Sequence, residues 1–145
     1  MWNWMPSISK MIKLPPSMMS QSWMGSDFTN DDLMREGSWV DEFNVSLSDD
    51  EHHFILDLSA KPDTVTVWGA MQIIILKDSL LPVKQVYFDE DGSPMREMHF
   101  SEVKTFGDVT LPSVMELRPL NKPENRTRVI YQSMEFDIDI DDSFF

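Results

Sequence analysis

"TVTVWGAMQIIILKD" (residues 64–78) and "VKQVYFDEDGSPMREMHFSEVKTF" (residues 83–106) decide the fold class. The first is β-branched and long, with Gly69 as a bulge or bend, and "DSLLP" (78–82) turns it into the second. Inside the second, a DG turn between apolar alternations marks a hairpin. Outward from this centre the same period-2 signal recurs. "WVDEFNVSLS" (39–48), the turn "DDEH" (49–52) and "HFILDLSA" (53–60) read as a hairpin in which Phe54, Leu56 and Leu58 share a face. "LPSVMELRPL" (111–120) is a further strand, followed by the polar turn "NKPENRT" (121–127). "RVIYQSMEFDIDI" (128–140) places Ile130, Met134, Phe136, Ile138 and Ile140 in phase, with Tyr131, Ser133, Glu135, Asp137 and Asp139 opposite.

The beginning of the chain breaks this rhythm. Residues 2–14 read as one strand or a pair of strands, with Ile8, Ile12 and Leu14 in phase, stopped by Pro15 and Pro16. Thr29 followed three residues later by Asp32 resembles a capping box with Asp in place of Glu, and predicts a short helix over 30–36 with Gly37 as its stop. The expectation is a mainly β chain with one or two short helices. Seven or eight antiparallel strands form a curved sheet or incomplete barrel whose apolar face needs a cover, for which the opening stretch is the candidate.

The chain has 145 residues, 41% of them hydrophobic, which fits a single domain with one core over 1–145. Twelve methionines, five tryptophans and nine phenylalanines make the apolar material large and soft. The net charge of −13 argues against a nucleic-acid partner, since affinity for a phosphate backbone comes largely from Lys and Arg. The charge is uneven: residues 1–26 contain Lys10 and Lys13 and no acid, so they carry +2 and the remaining 119 residues −15. With no cysteine, disulfides and thiolate chemistry are excluded. Pro6, Ser7, Ser9 and Lys10 interrupt any signal-peptide core, and no apolar run reaches the roughly 20 residues of a membrane span.

Chemistry-bearing patterns are sparse. Asp89, Asp91 and Gly92 suggest a calcium loop, but with Gly92 sixth the first and twelfth ligand positions fall on Tyr87 and Met98, so a hairpin turn is the better reading. Asp137, Asp139 and Asp141 alternate as a solvated strand face does. His52 and His53 are adjacent and point to opposite faces of a strand, a poor metal pair. There is no nucleophile elbow, no partner pattern for His52, His53 or His99, and no glycine-rich phosphate loop. The sequence therefore predicts no enzyme, no metal and no cofactor. The Met/Trp-rich segment "PPSMMSQSWMGSDFTNDDL" (15–33) admits two readings, ordinary core or an adaptable apolar cavity.

On "LPPSMMSQSWMGSDFTNDDL" (14–33), the strand region 67–104 and the closing "MEFDIDIDDSFF" (134–145), the chain resembles the outer membrane lipoprotein-sorting proteins of the LolA-like superfamily. The resemblance runs over essentially the whole chain and is most specific in "SWMGSDFTNDDL" (22–33). It implies an incomplete antiparallel β-barrel around an apolar cavity, closed by a helical lid, that shields lipid or lipoprotein acyl chains in the periplasm. Met18, Met19, Trp23, Met24 and Phe28 would belong to the lid or cavity rim. Trp39, Trp68, Ile73, Ile75, Met134 and Phe136 are the further cavity candidates. The partners implied are acyl chains, an inner-membrane exporter and an outer-membrane acceptor. Members of that family are longer at the N-terminus, so the resemblance also implies that this chain is the C-terminal portion of such a domain and that its exposed sheet edges self-associate. An alternative is an accessory interaction module of a lipid exporter that carries no lipid itself.

Overall fold

The computed structural model describes residues 2–34, 38–141 and 143. An N-terminal hairpin, β1 (Trp2–Met5) and β2 (Lys10–Lys13), stands apart as its own two-stranded sheet. Seven further strands follow: β3 (Phe43–Asp49), β4 (His53–Ala60), β5 (Ala70–Leu76), β6 (Pro82–Phe88), β7 (Pro94–Phe106), β8 (Val109–Pro119) and β9 (Thr127–Ile130). They form one antiparallel sheet in chain order, curved and not closed into a barrel. Register shifts at Ile74/Ile75 and Tyr87/Phe88 add local bends. Two short helices, α1 (Asn30–Met34) and α2 (Trp39–Glu42), precede the sheet.

Register sorts the sheet into two faces. Leu58 pairs with Met71, Met71 with Tyr87, and Tyr87 with Arg96, so these side chains share a face. One pleat along, the chain Leu47, Leu56, Ile73, Gln85, Met98 and Leu117 lies on the same face. Phe28 of the opening stretch joins Phe43, Leu58, Met71, Tyr87, Met98 and Leu117 in the buried core, with Trp23, Trp39 and Trp68 packed around it. Residues 19–32 thus cover one end of the apolar face. Farther from that cover, Leu56, Ile73, Ile75, Phe100 and Met115 are only half-buried, and Leu47 is exposed.

The expected hairpins, the capped helix and the opening strand pair are present. Three details differ. The run 64–68 is not strand, because β4 ends at Ala60 and β6 at Phe88, leaving it no ladder; Pro62 and Asp63 instead sit in a turn closed by Thr64 N donating to Lys61 O. Trp39–Glu42 is a helical turn, since the Ser38 hydroxyl accepts from Val40 N as an N-cap. The long alternation 128–140 stops as a strand at Ile130, so the predicted Met134–Ile140 face and the Asp137–Asp141 row belong to an irregular segment. β9 is the sheet's edge, so among the described residues no outer strand gives the segment after it a ladder to join, and Asp137 adopts φ 55°. The predicted Gly37 stop lies outside the described residues. Gly69 is required by close approach, since a Cβ there would lie 2.6 Å from Asp89 O.

Candidate functional site

The lid is built by turn chemistry. Trp23 N donates to Phe28 O (2.7 Å) and Ser26 N to Trp23 O (2.9 Å), folding 22–29 into a miniature hairpin. Met24 (φ 50°) and Gly25 (φ 73°) occupy its tip, both in the left-handed region that this tight turn needs. Glycine takes that conformation freely; methionine does not. Met24 is also 86% exposed, a large apolar side chain held at a strained position in solvent.

After the turn, Thr29 and Asp32 form the capping box. Asp32 N donates to Thr29 Oγ1 (3.3 Å), and Thr29 N donates to the Asp32 carboxylate (2.7 Å). Asn30 is buried and donates from Nδ2 to Met18 O (2.9 Å), fixing the Met18 loop to the start of α1.

The same Asp32 locks the lid to the sheet. Arg96 of β7, 4% exposed, donates from Nη1 (2.8 Å) and Nη2 (2.5 Å) to its two carboxylate oxygens, and from Nη1 to Asp27 O (3.4 Å). The guanidinium lies over the rings of Tyr87 (4.1 Å) and Trp68 (4.4 Å). A second tie joins the lid to β9: Thr127 Oγ1 donates to Asp27 Oδ2 (2.6 Å) and accepts from Asp27 N (3.0 Å).

Between the lid and the N-terminal hairpin runs a cleft of about 630 Å³. Its apolar walls are Trp2, Met5, Ile12, Leu14, Pro15, Met18, Trp23 and Met24, and its polar positions are Asn3, Gln21, Ser22 and Asn30. The structure therefore brings Met18, Trp23 and Met24 together. Met19 lies beside them, half-buried, its carbonyl accepting from Asp31 N (2.9 Å). Phe28 is beneath, in the core. Trp39 packs edge-on against Phe43 (5.5 Å), and Trp68 is part of the Arg96 stack. Ile73 and Ile75 lie on the partly uncovered sheet face, outside the cleft. Met134 and Phe136 line a separate hollow with Phe106 and Val109, at the β7–β8 turn.

The sequence reading did not single out Trp2, Met5, Arg96, Asp27 or Thr127. A signal for Arg96 exists in "MREMHF" (95–100), where the arginine is in phase with Met98 and Phe100, a charge on an apolar face that demands a buried partner. Nothing local points to Asp32 as that partner, 64 residues away.

The opposite sheet face is a charged network. Glu116 accepts from Arg118 Nε (2.5 Å) and from Arg128 Nη2 (2.6 Å) and Nε (3.0 Å). The hydrogen bonds from Arg128, then Arg118, hold its carboxyl well below the usual 4.5, at about 2. Glu97 lies 2.8 Å from both Lys84 and His99, and its carboxyl is lowered, chiefly by Lys84.

A family model described as "Uncharacterized protein" matches residues 1–145. No curated protein matches the chain in sequence. Among solved structures it is similar to a DUF1329 family protein from Desulfovibrio piger, with 21% identity and a TM-score of 0.87 over 99% of this chain and 61% of that one. It is also similar to an outer membrane lipoprotein-sorting protein domain from Vibrio parahaemolyticus (16%, TM-score 0.82, 98% and 61%). A LolA superfamily protein from Nitrosomonas europaea follows (17%, TM-score 0.72, 99% and 64%). The chain spans less than two thirds of the length of each of these structures.

Proposed function

Since the chain belongs to the family matched over residues 1–145 and has a LolA-like fold, we propose that it is a non-catalytic carrier domain that buries acyl chains of a lipid or lipoprotein between the lid and the N-terminal hairpin. The observation that carries this reading is the cleft itself: about 630 Å³, within the size range of ligand sites, and walled by Met5, Met18, Met24, Trp2 and Trp23. Unbranched thioethers repack around chains of different length and kink at little cost. Acyl surface left in water costs about 25 cal/mol per Å², so transfer into such a wall is a sufficient driving force with no bond made or broken.

The half-buried sheet face at Leu56, Ile73, Ile75 and Phe100 offers more apolar surface if the lid swings from its Arg96 and Thr127 ties. Trp39, Trp68, Met134 and Phe136 are assigned to packing in this reading. The setting is the periplasm, with exchange between an inner-membrane exporter and an outer-membrane acceptor.

Titration with a brominated fatty acid below its critical micelle concentration tests the proposal. Saturable tryptophan quenching that is largely reduced in Trp23→Phe is the expected result. Folded protein without saturable quenching would overturn it and leave the accessory-module reading.

A further inference from the structure

Among the described residues the hairpin β1–β2 pairs with no other strand, and both of its strands are exposed. Its two faces are not equivalent. Asn3, Met5 and Ile12 point to the cleft, with Lys10 opposite Met5 on that face; on the alternate face, Trp4 sits directly opposite Met11 and beside Lys13, while Trp2, at the start of the strand, also lines the cleft. Trp4 is 53% and Met11 60% exposed, and Ile8, in the turn, is 52% exposed. Monomeric proteins seldom leave such a contiguous apolar surface to water unless it meets something.

Charge identifies the partner. The first 26 residues carry +2 and no acid, on a chain whose remainder carries −15. Lys13 stands beside Met11 and Trp4 on the outer face, and Lys10, opposite Met5 on the other face, flanks the turn at Ile8. An acidic surface repels most of this molecule and accepts only this end, and at a screening length of about 8 Å only the end in contact matters. Tryptophan and methionine flanked by lysine suit the boundary between headgroups and acyl chains, where an indole ring has both an apolar body and a hydrogen-bonding N–H. We infer that the outer face of the β1–β2 hairpin, with Trp4, Met11 and Lys13, together with Ile8 in its turn, docks the protein on an anionic lipid bilayer. Lys13 meets the headgroups while Trp4, Met11 and Ile8 enter the interface. The cleft, on the hairpin's other face, is then held beside the membrane surface.

The inference stands apart from acyl binding in the cleft, because Trp4 and Met11 do not line it. Flotation of the full chain with phosphatidylglycerol–phosphatidylcholine vesicles, and with pure phosphatidylcholine vesicles, is the test. The expected result is binding to the anionic vesicles only, weakened by salt. Trp4→Ser/Met11→Ser should weaken it about tenfold or more, and Lys13→Gln by about fivefold. Both variants change exposed positions, so their circular dichroism and the fatty-acid affinity read from quenching should match the parent, with Trp4→Ser changing only the quenching amplitude. Loss of vesicle binding with quenching intact separates this surface from the cleft. Absence of vesicle binding by the parent, or binding unchanged in Trp4→Ser/Met11→Ser, would overturn the inference. So would a dimer by sedimentation that Trp4→Ser/Met11→Ser converts to monomer, which would make a second copy the occupant.

Discussion

Arg96 and Asp32 concentrate the chemistry that fixes the lid. A guanidinium taken out of water is tolerated only with its charge matched, and the fork of Arg96 matches the Asp32 carboxylate at 2.8 and 2.5 Å, while its buried Nε–H finds no hydrogen-bond partner among the described residues. Removing one partner strands the other, so Arg96→Met is expected to cost about 3–5 kcal/mol, measured by urea denaturation. Arg96→Lys should recover little, because an ammonium cannot reproduce the bidentate contact or the stacking on Tyr87 and Trp68. A cost below about 1 kcal/mol for Arg96→Met would contradict the role given to the pair. Met24 makes the reverse case. Asn tolerates its φ of 50° better, so Met24→Asn should leave stability unchanged or raise it by up to about 1 kcal/mol, while weakening fatty-acid quenching. A large loss of stability would show that the side chain serves packing instead.

At the scale of elements, most of the sheet is legible in the sequence because it is a meander. Each strand pairs with its neighbours in the chain, so alternation and a turn signal suffice to place β3, β4, β6, β7 and β8. What the pattern alone misplaces are segments whose strand-like composition lacks a partner, at 64–68 and beyond Ile130. Propensity describes fit to a pleated surface, and without a ladder alternate apolar residues guarantee nothing. The site divides likewise. Met18, Trp23 and Met24 come from one contiguous stretch and are found together, whereas Trp2, Met5 and Ile12 reach the cleft through the packing of a separate hairpin. The Glu116 network is also an element-scale feature, joining β8 to β9. Its folded-state carboxyl, at about 2, is below its ordinary 4.5, so the stabilisation is complete above 4.5 and is lost as pH falls from there toward 2. Stability of the parent should decline across that window in acid-titrated denaturation, and Glu116→Gln should flatten the decline. An unchanged pH profile in the variant would show that the network contributes nothing to it. Leu117, fully buried one residue away, provides a packing comparison: Leu117→Ala should cost about 2–5 kcal/mol at every pH.

For the molecule as a whole, the open sheet leaves β3 and β9 as edges. All of β3 except Phe43 is exposed, and it presents unpaired backbone groups with Val45 and Leu47 beside them. Edge-to-edge pairing predicts a sedimentation coefficient that rises with concentration, and Val45→Lys should suppress the rise. A clean monomer at high concentration would contradict it.

The central claim is that acyl chains enter the cleft between hairpin and lid, and the twelve methionines provide the probes. Methyl resonances of isotope-labelled methionine, recorded with a nitroxide-labelled fatty acid, place the bound chain directly. The account predicts that Met5, Met18 and Met24 broaden, that buried Met71 and Met98 broaden less, and that Met134 on its separate hollow is unaffected. Broadening centred on Met134, or none at Met5, Met18 and Met24, would contradict it.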